Sequence, residues 1–347
     1  MMQKIRSFLS IFTIVLFFGL VPTDSNTVFA ATAPDSLFEQ SSTEFNLDLA
    51  KYSLTLSSAA YGNTAANIEE VLAENGFKND ATYDNTSYKN ASRMNTNLVA
   101  YSFAHKQVRC LNKDYTLIAV VIRGTSGDNE WISNFNINDS GSSPAIHEGF
   151  SKAEKALLAN LNKYIKSLNV DRSNTKFLIT GHSRGAAVAN LLAADLSKSE
   201  KLADQSDIYG YTFATPNVAK ISSNVYFNIF NAVNPADIVT EIPLAKWGYS
   251  KYGVTYSLPD ENQINTEDLT AAKKALSQLT DIAPTLKDFN KAKLSLALLK
   301  ENLIPTGTSS AHVPQVYMKY LNEVNSDELS AQIFHLQLKL IPNTNYA

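Results

Sequence analysis

A single cysteine, Cys110, in 347 residues excludes an internal disulfide and leaves no cysteine cluster to hold a metal. Nor is there a basic surplus. Thirty Lys and Arg stand against 33 Asp and Glu, a net charge of −3, which removes the electrostatic footprint of a nucleic-acid binder. No internal repeat or low-complexity stretch occurs, and after the N-terminal leader no apolar run is long enough to cross a bilayer. The full chain is 44% hydrophobic and 18% charged, enough to bury one large core, or one core with a small appendage.

The leader has a recognisable layout. Lys4 and Arg6 precede an uncharged apolar run from Phe8 to Val21, and Val28-Phe29-Ala30 offers a small-x-small cleavage site. The expectation is a secretory signal peptide over residues 1–30, cleaved after Ala30, and a secreted mature protein.

The chain is organised around Phe177-Leu-Ile-Thr-Gly-His-Ser183-Arg-Gly-Ala-Ala-Val-Ala. A short apolar run reads as a buried strand, Gly181 to Gly185 as a sharp turn, and Ala186 to Leu196 as a helix. A serine at the apex of strand, turn and helix is the context that makes G-x-S-x-G a nucleophile elbow. Strand and helix crowd such a serine, so the positions two before and two after must be small, and Gly181 and Gly185 meet that need. The helix N-terminus behind Ser183 supplies free amides for a developing oxyanion.

Residues 31–97 read as a peripheral, partly helical segment, with helices near Leu47–Tyr61 and Ile68–Asn75 and a polar loop with a short strand from Asn79 to Asn97. Leu98 to Val108 alternates, with Val99, Tyr101, Phe103 and His105 on one face. Tyr115 to Ile122 is apolar throughout, as befits a central strand. It leaves the sheet at Arg123-Gly124-Thr125, where the Thr125 backbone N–H can face the elbow. Residues 127–137 then form a candidate flap around Trp131, Ile132 and Phe135. Ala153, Leu157, Leu161, Tyr164 and Ile165 mark a long helix packed on the sheet. Strand, crossover helix and the strand bearing Ser183 make a parallel unit, so the fold class is α/β.

Arg123-Gly-Thr125, His147-Glu-Gly-Phe150 and Thr180-Gly-His-Ser-Arg-Gly185, in this order and spacing, resemble the class 3 (fungal-type) lipase family over roughly Leu98 to Tyr320. The resemblance implies an α/β-hydrolase fold, a mostly parallel central sheet flanked by helices, that cleaves carboxylic esters, often acylglycerols. Arg184 and Ala186 depart from the leucine and second glycine usual in the family. Arg184 puts a charge beside the expected acyl pocket, while its backbone N–H remains available as an oxyanion donor.

Two further strands are expected at Ile208–Ala214 and Val225–Asn231, and Asp237 follows the second. An acid just past a strand's C-terminal end shares the sheet rim with the elbow. Asp195 ends the elbow helix at the wrong end of the sheet, and Asp207 precedes its strand. Of the later histidines, His335 reads as the polar face of an alternating strand from Ile333 to Leu340. His312 lies in a small-residue loop from which a ring can reach both serine and acid. Asp237 and His312 also match the family's acid and base positions, the latter with Tyr317 following. His147 is the reserve base and more readily supports a helix start, and His182 points away from the nucleophile.

Residues 98–347 thus form the lipase-like domain, with a helical insertion over 251–305 carrying Leu269, Ala272, Leu276 and Leu279 on one helix and Leu286, Phe289, Leu294 and Leu298 on a second. The expected chemistry is acyl transfer to Ser183 through His312 and Asp237, with Thr125 and Arg184 N–H groups as the oxyanion hole and no metal or cofactor. The expected substrate is a lipid or other ester, met at a transient lipid interface. A phospholipase or acyltransferase on the same machinery, or a non-catalytic surface protein retaining the fold, are the alternatives.

Overall fold

The computed structural model describes residues 34–91, 98–124, 145–221, 226–260, 263–264, 266–282 and 311–341. The leader, Thr125, the 127–137 flap and the second insertion helix lie outside them. All described residues fall in one compact unit.

The sheet orders its strands as the chain does: β1 (Lys78–Asn79), β2 (Tyr101–Cys110), β3 (Lys113–Ile122), β4 (Thr175–His182), β5 (Ile208–Phe213), β6 (Ile229–Val233) and β7 (Val254–Ser257). β1–β2 and β2–β3 pair antiparallel, and the later neighbours pair parallel. β6 starts later than the sequence pattern predicts, at Ile229, after a turn over 227–228. The α/β expectation holds, with a mostly parallel sheet between helical layers.

Sequential parallel strands joined by crossovers of one hand carry their connecting helices on one face. Here those are α4 (Glu148–Leu168) and α5 (Arg184–Ser199). Leu157, Leu161, Val188 and Leu192 pack there on Ile118, Val120, Phe177 and Ile179. The alternate side chains, Leu117, Ala119, Val121 and Leu178, point to the other face and need a cover that no crossover supplies. The two ends of the chain provide it. From the N-terminal side come α1 (Leu47–Ala59), α2 (Ala66–Glu74) and α3 (Ala81–Ala91). From the C-terminal side come α7 (Pro314–Glu323) and α8 (Ser326–Leu340). The insertion contributes α6 (Thr266–Ile282), which buries Ala272 and packs against the turn at Ile238–Glu241.

Four expectations are corrected. The start of the expected 251–305 helical insertion is not helical: Val254–Ser257 is β7, which pairs parallel with β6 and extends the sheet. The N-terminal segment is core rather than periphery: Leu49, Leu54, Leu56, Ile68 and Leu72 are all fully buried. The polar stretch from Asn79 holds only the last residue of β1 and then becomes α3. Its polar side chains serve the sheet edge. Asp84 accepts from the Phe103 N–H (2.9 Å), and Ser87 Oγ bonds both the Tyr101 N–H (2.9 Å) and carbonyl (2.6 Å). Finally, residues 333–340 form the end of α8, not a strand. Leu329, Ile333, Leu336 and Leu340 repeat at helical spacing and face the core, and Asn325 caps the first turn through Asp327 and Glu328. Phe334, Leu336, Leu338 and Leu340 alternate as a strand would, while Leu329, Ile333, Leu336 and Leu340 keep the helical period, and burial selects the helical one. His335 stands exposed on this helix.

Candidate active site

β4 ends at His182 and α5 begins at Arg184, so Ser183 alone makes the turn. Its backbone sits at φ 58°, ψ −129°, a conformation a side chain rarely adopts and one that costs of order 1–3 kcal/mol. The surroundings impose it. The Ser183 N–H donates to the Phe213 carbonyl (2.9 Å) and its carbonyl accepts from Ala187 (3.1 Å). A Cβ on Gly181 would lie 2.5 Å from the Gly185 carbonyl carbon, and one on Gly185 would lie 2.2 Å from the Ile122 oxygen. Both glycines are therefore obligatory at this close crossing of helix and sheet.

Asp237 lies four residues beyond β6 and opens the turn at Ile238–Glu241, accepting from the Val239 N–H (3.1 Å). His312 enters from the far end of the chain, two residues before α7, whose first position is Pro314. The three side chains meet. His312 Nε2 is 2.8 Å from Ser183 Oγ and Nδ1 is 2.8 Å from Asp237 Oδ2. Asp237 has 1% of its side chain exposed and His312 19%, so the acid is sealed beneath an imidazole whose edge reaches solvent.

Supporting residues fix each member. Asp237 Oδ2 also accepts from Tyr317 OH (3.0 Å), and that phenol oxygen accepts from the Asn234 N–H (2.9 Å). His182, adjacent to the serine, turns away from it and ties two distant segments to the elbow. Its Nε2 is 2.7 Å from the His312 carbonyl, which can only accept, so Nε2 carries the proton. Nδ1 is then the acceptor for Tyr61 OH at 2.6 Å. Burial, and secondarily the His312 ring, push the His182 imidazole well below its usual range and keep it neutral. Tyr61 also packs against Gly124, where a Cβ would clash with its hydroxyl at 2.0 Å. Arg123 donates to the Gly62 carbonyl (2.5 Å) and covers the Tyr88 ring, bracing the same corner.

The Arg184 N–H is in the first turn of α5, where no intrahelical acceptor exists, and its side chain is buried. Thr125, the other expected oxyanion donor, lies outside the described residues. His147 is buried and caps α4, accepting from the Phe150 N–H (3.4 Å). Asp207 pairs with Lys176 where β5 begins, and Asp195 lies near Glu154. Among the described residues, no group of three or more His, Cys, Asp or Glu is placed to hold a metal.

Sequence comparison bears on this arrangement. Residues 119–247 match the sequence model of the family described as Lipase (class 3). Over that stretch the chain is similar to class 3 lipases. The match is shorter than the Leu98–Tyr320 span the motifs suggest. It contains Ser183 and Asp237 but stops well before His312, which only the tertiary structure brings to the matched segment. The lipase of Rhizomucor miehei is 28% identical over 171 residues, covering 44% of this chain and 46% of that protein. A protein named secreted mono- and diacylglycerol lipase 1, from Fusarium solani, is 33% identical over 105 residues, covering 29% and 30%. The chain thus spans less than half the length of these relatives. Among solved structures, a Rhizomucor miehei lipase propeptide complex superposes with a TM-score of 0.44 at 23% identity, covering 62% of this chain and 68% of that one.

Two supporting residues escape sequence reading. Tyr61 ends an ordinary helical stretch with no local mark of function. Tyr317 was visible as the tyrosine after His312, but not as a donor to the acid.

Proposed function

We propose that the protein is a secreted serine hydrolase of carboxylic esters, a lipase acting on acylglycerols at a lipid surface, with its leader removed after Ala30. The observation that carries the reading is the unbroken chain of hydrogen bonds from Ser183 Oγ through His312 to Asp237, at 2.8 Å and 2.8 Å. The match to the class 3 lipase model over the segment holding Ser183 and Asp237 supports it, as does the agreement of donors and acceptors. His312 Nε2 accepts from the serine hydroxyl while Nδ1–H donates to Asp237.

In this reading His312 takes the Ser183 proton as Oγ attacks the ester carbonyl. The tetrahedral oxyanion develops over the start of α5, where the Arg184 N–H and the helix dipole meet it, and Thr125 supplies the second donor. His312 returns the proton to the departing alcohol. Water then attacks the acyl-enzyme with His312 as base. Asp237 holds the ring and stabilises the imidazolium. Each oxyanion donor contributes roughly 3 kcal/mol to lowering the barrier.

The test is turnover of p-nitrophenyl esters of graded chain length, with Ser183→Ala as control. The variant should fold and lose activity by about a million-fold in kcat. Undiminished turnover in Ser183→Ala ends the proposal. Product analysis with phospholipid or added alcohol separates an acylglycerol lipase from a phospholipase or acyltransferase, and phosphonate labelling at Ser183 separates all three from a non-catalytic protein.

A further inference from the structure

Behind the acid turn lies a lysine that this chemistry does not use. Lys251 precedes β7 and its side chain is buried. Its Nζ donates to the Thr240 carbonyl (2.7 Å) and to Asn217 Oδ1 (2.8 Å). The two acceptors belong to different loops. Thr240 is in the turn that starts at Asp237, and its hydroxyl donates back to the Asp237 carbonyl (2.7 Å). Asn217 is in the loop leaving β5, and it grips the far end of the acid turn. Its N–H donates to the Ile242 carbonyl (3.1 Å) and its Nδ2 to the Pro243 carbonyl (2.8 Å).

The base of the lysine is itself anchored to the nucleophile's helix. The Tyr252 N–H donates to Asn190 Oδ1 on α5 (3.1 Å), and the Tyr252 carbonyl accepts from Asn190 Nδ2 (2.8 Å). On the other side Ser250 pairs with Val218 and Ala219 (2.8 Å each). Residues 250–252 therefore connect the helix behind Ser183 to the turn that carries Asp237.

We propose that Lys251 is a positioning residue that sets the Asp237 turn at the depth where its carboxylate meets His312. The proposal rests on reading Ser183, His312 and Asp237 as a reacting triad. A buried ammonium is costly unless directional partners use its hydrogens, so a lysine here, where methionine would fill the space, is retained for its bonds. Among the described residues the charged groups facing it are Glu241 and Asp237, both on the acid turn, while Asn217 and Tyr252 are neutral. Burial pushes the ammonium down to about 8 and the two carboxylates draw it up, so it is cationic at neutral pH.

Two readouts test this, one kinetic and one independent of turnover. Lys251→Met should lower kcat about 10- to 100-fold with KM unchanged, the scale of a small misplacement of a catalytic group. Lys251→Arg should recover most of the loss. The second readout is the pH midpoint of the His312 imidazole, followed by NMR and assigned through its absence in His312→Asn. If the acid swings away when the lysine is lost, the imidazole loses its anionic partner and its midpoint falls. If Lys251 acts only as a nearby positive charge, removing it raises the midpoint, and a bystander leaves it unchanged. A raised or unchanged midpoint in a folded Lys251→Met protein overturns the proposal. Should that variant not fold, Asn217→Ala, which removes the other loop's acceptor, must lower the midpoint in the same sense or the proposal fails. A wild-type protein inert to esters and phosphonates would refute the hydrolase reading, while the imidazole titration would still decide the role of Lys251.

Discussion

Gly185 shows how little freedom a single position has in this site. A methyl group added there meets the Ile122 oxygen at 2.2 Å and the Arg123 carbonyl carbon at 2.8 Å, both backbone atoms that cannot rotate away. Relief would require α5 to lift from the sheet, carrying Ser183 with it. Gly185→Ala should therefore cost at least about 2 kcal/mol of stability and remove ester turnover, measured by urea unfolding and by nitrophenyl-ester assay. Stability and turnover equal to wild type would show that the helix has slack that the close approach denies. At this scale the sequence was informative, since Gly181, Ser183 and Gly185 sit within one local turn whose sterics follow from their spacing. Tyr61 and Lys251 were not legible. Their partners lie 121 residues away at His182 and 34 and 11 residues away at Asn217 and Thr240.

Among the elements, α4 carries a buried carboxyl group. Glu154 is on its buried face, 7% exposed, with Oε1 lacking a hydrogen-bond partner among the described residues. Burial, and then the Asp195 carboxylate at the end of α5, raise its pKa from 4.5 to about 7. The folded protein thus holds this proton more tightly than the unfolded chain does, and stability falls as pH rises between about 4.5 and 7, levelling above. Glu154→Gln should flatten that slope and stabilise the protein at pH 8 by up to about 3 kcal/mol relative to wild type, with little change at pH 4. Denaturant melts at the two pH values check it, and equal effects at both would refute the buried-acid account. α4 was readable from its single apolar stripe, and α5 from the almost wholly apolar run behind the elbow. α8 was misread as a strand because its leucines satisfy a two-residue as well as a helical period, and α3 because its polarity serves a strand edge rather than solvent.

For the whole molecule, the decisive feature is a sheet whose second face is covered by the chain's own ends. α1 packs Leu49, Leu54 and Leu56 beneath β4 and β5, and Ser57 Oγ bonds Thr180 Oγ1 at 2.8 Å, three residues before the nucleophile. If the leader is removed as proposed, the exported protein should begin at Ala31 by intact mass, and with α1 part of the core it should unfold in one cooperative transition. A chain started after Tyr61 should expose the underside of the sheet and fail to fold, as seen by circular dichroism and solubility. A folded, active product of that deeper truncation would return the N-terminal segment to the periphery.

The sequence alone determined the elbow, the parallel βαβ unit around it and the candidate identities of nucleophile, acid and base, because each depends on short-range sterics, on periodicity or on chain order. Tertiary structure decided what covers the second face, which way α8 winds, how His182 joins Tyr61 to the His312 carbonyl, and that His312 meets a serine 129 residues before it. Those outcomes arise from burial and from hydrogen bonds between segments remote along the chain, and no local pattern encodes a partner that only the folded sheet brings near.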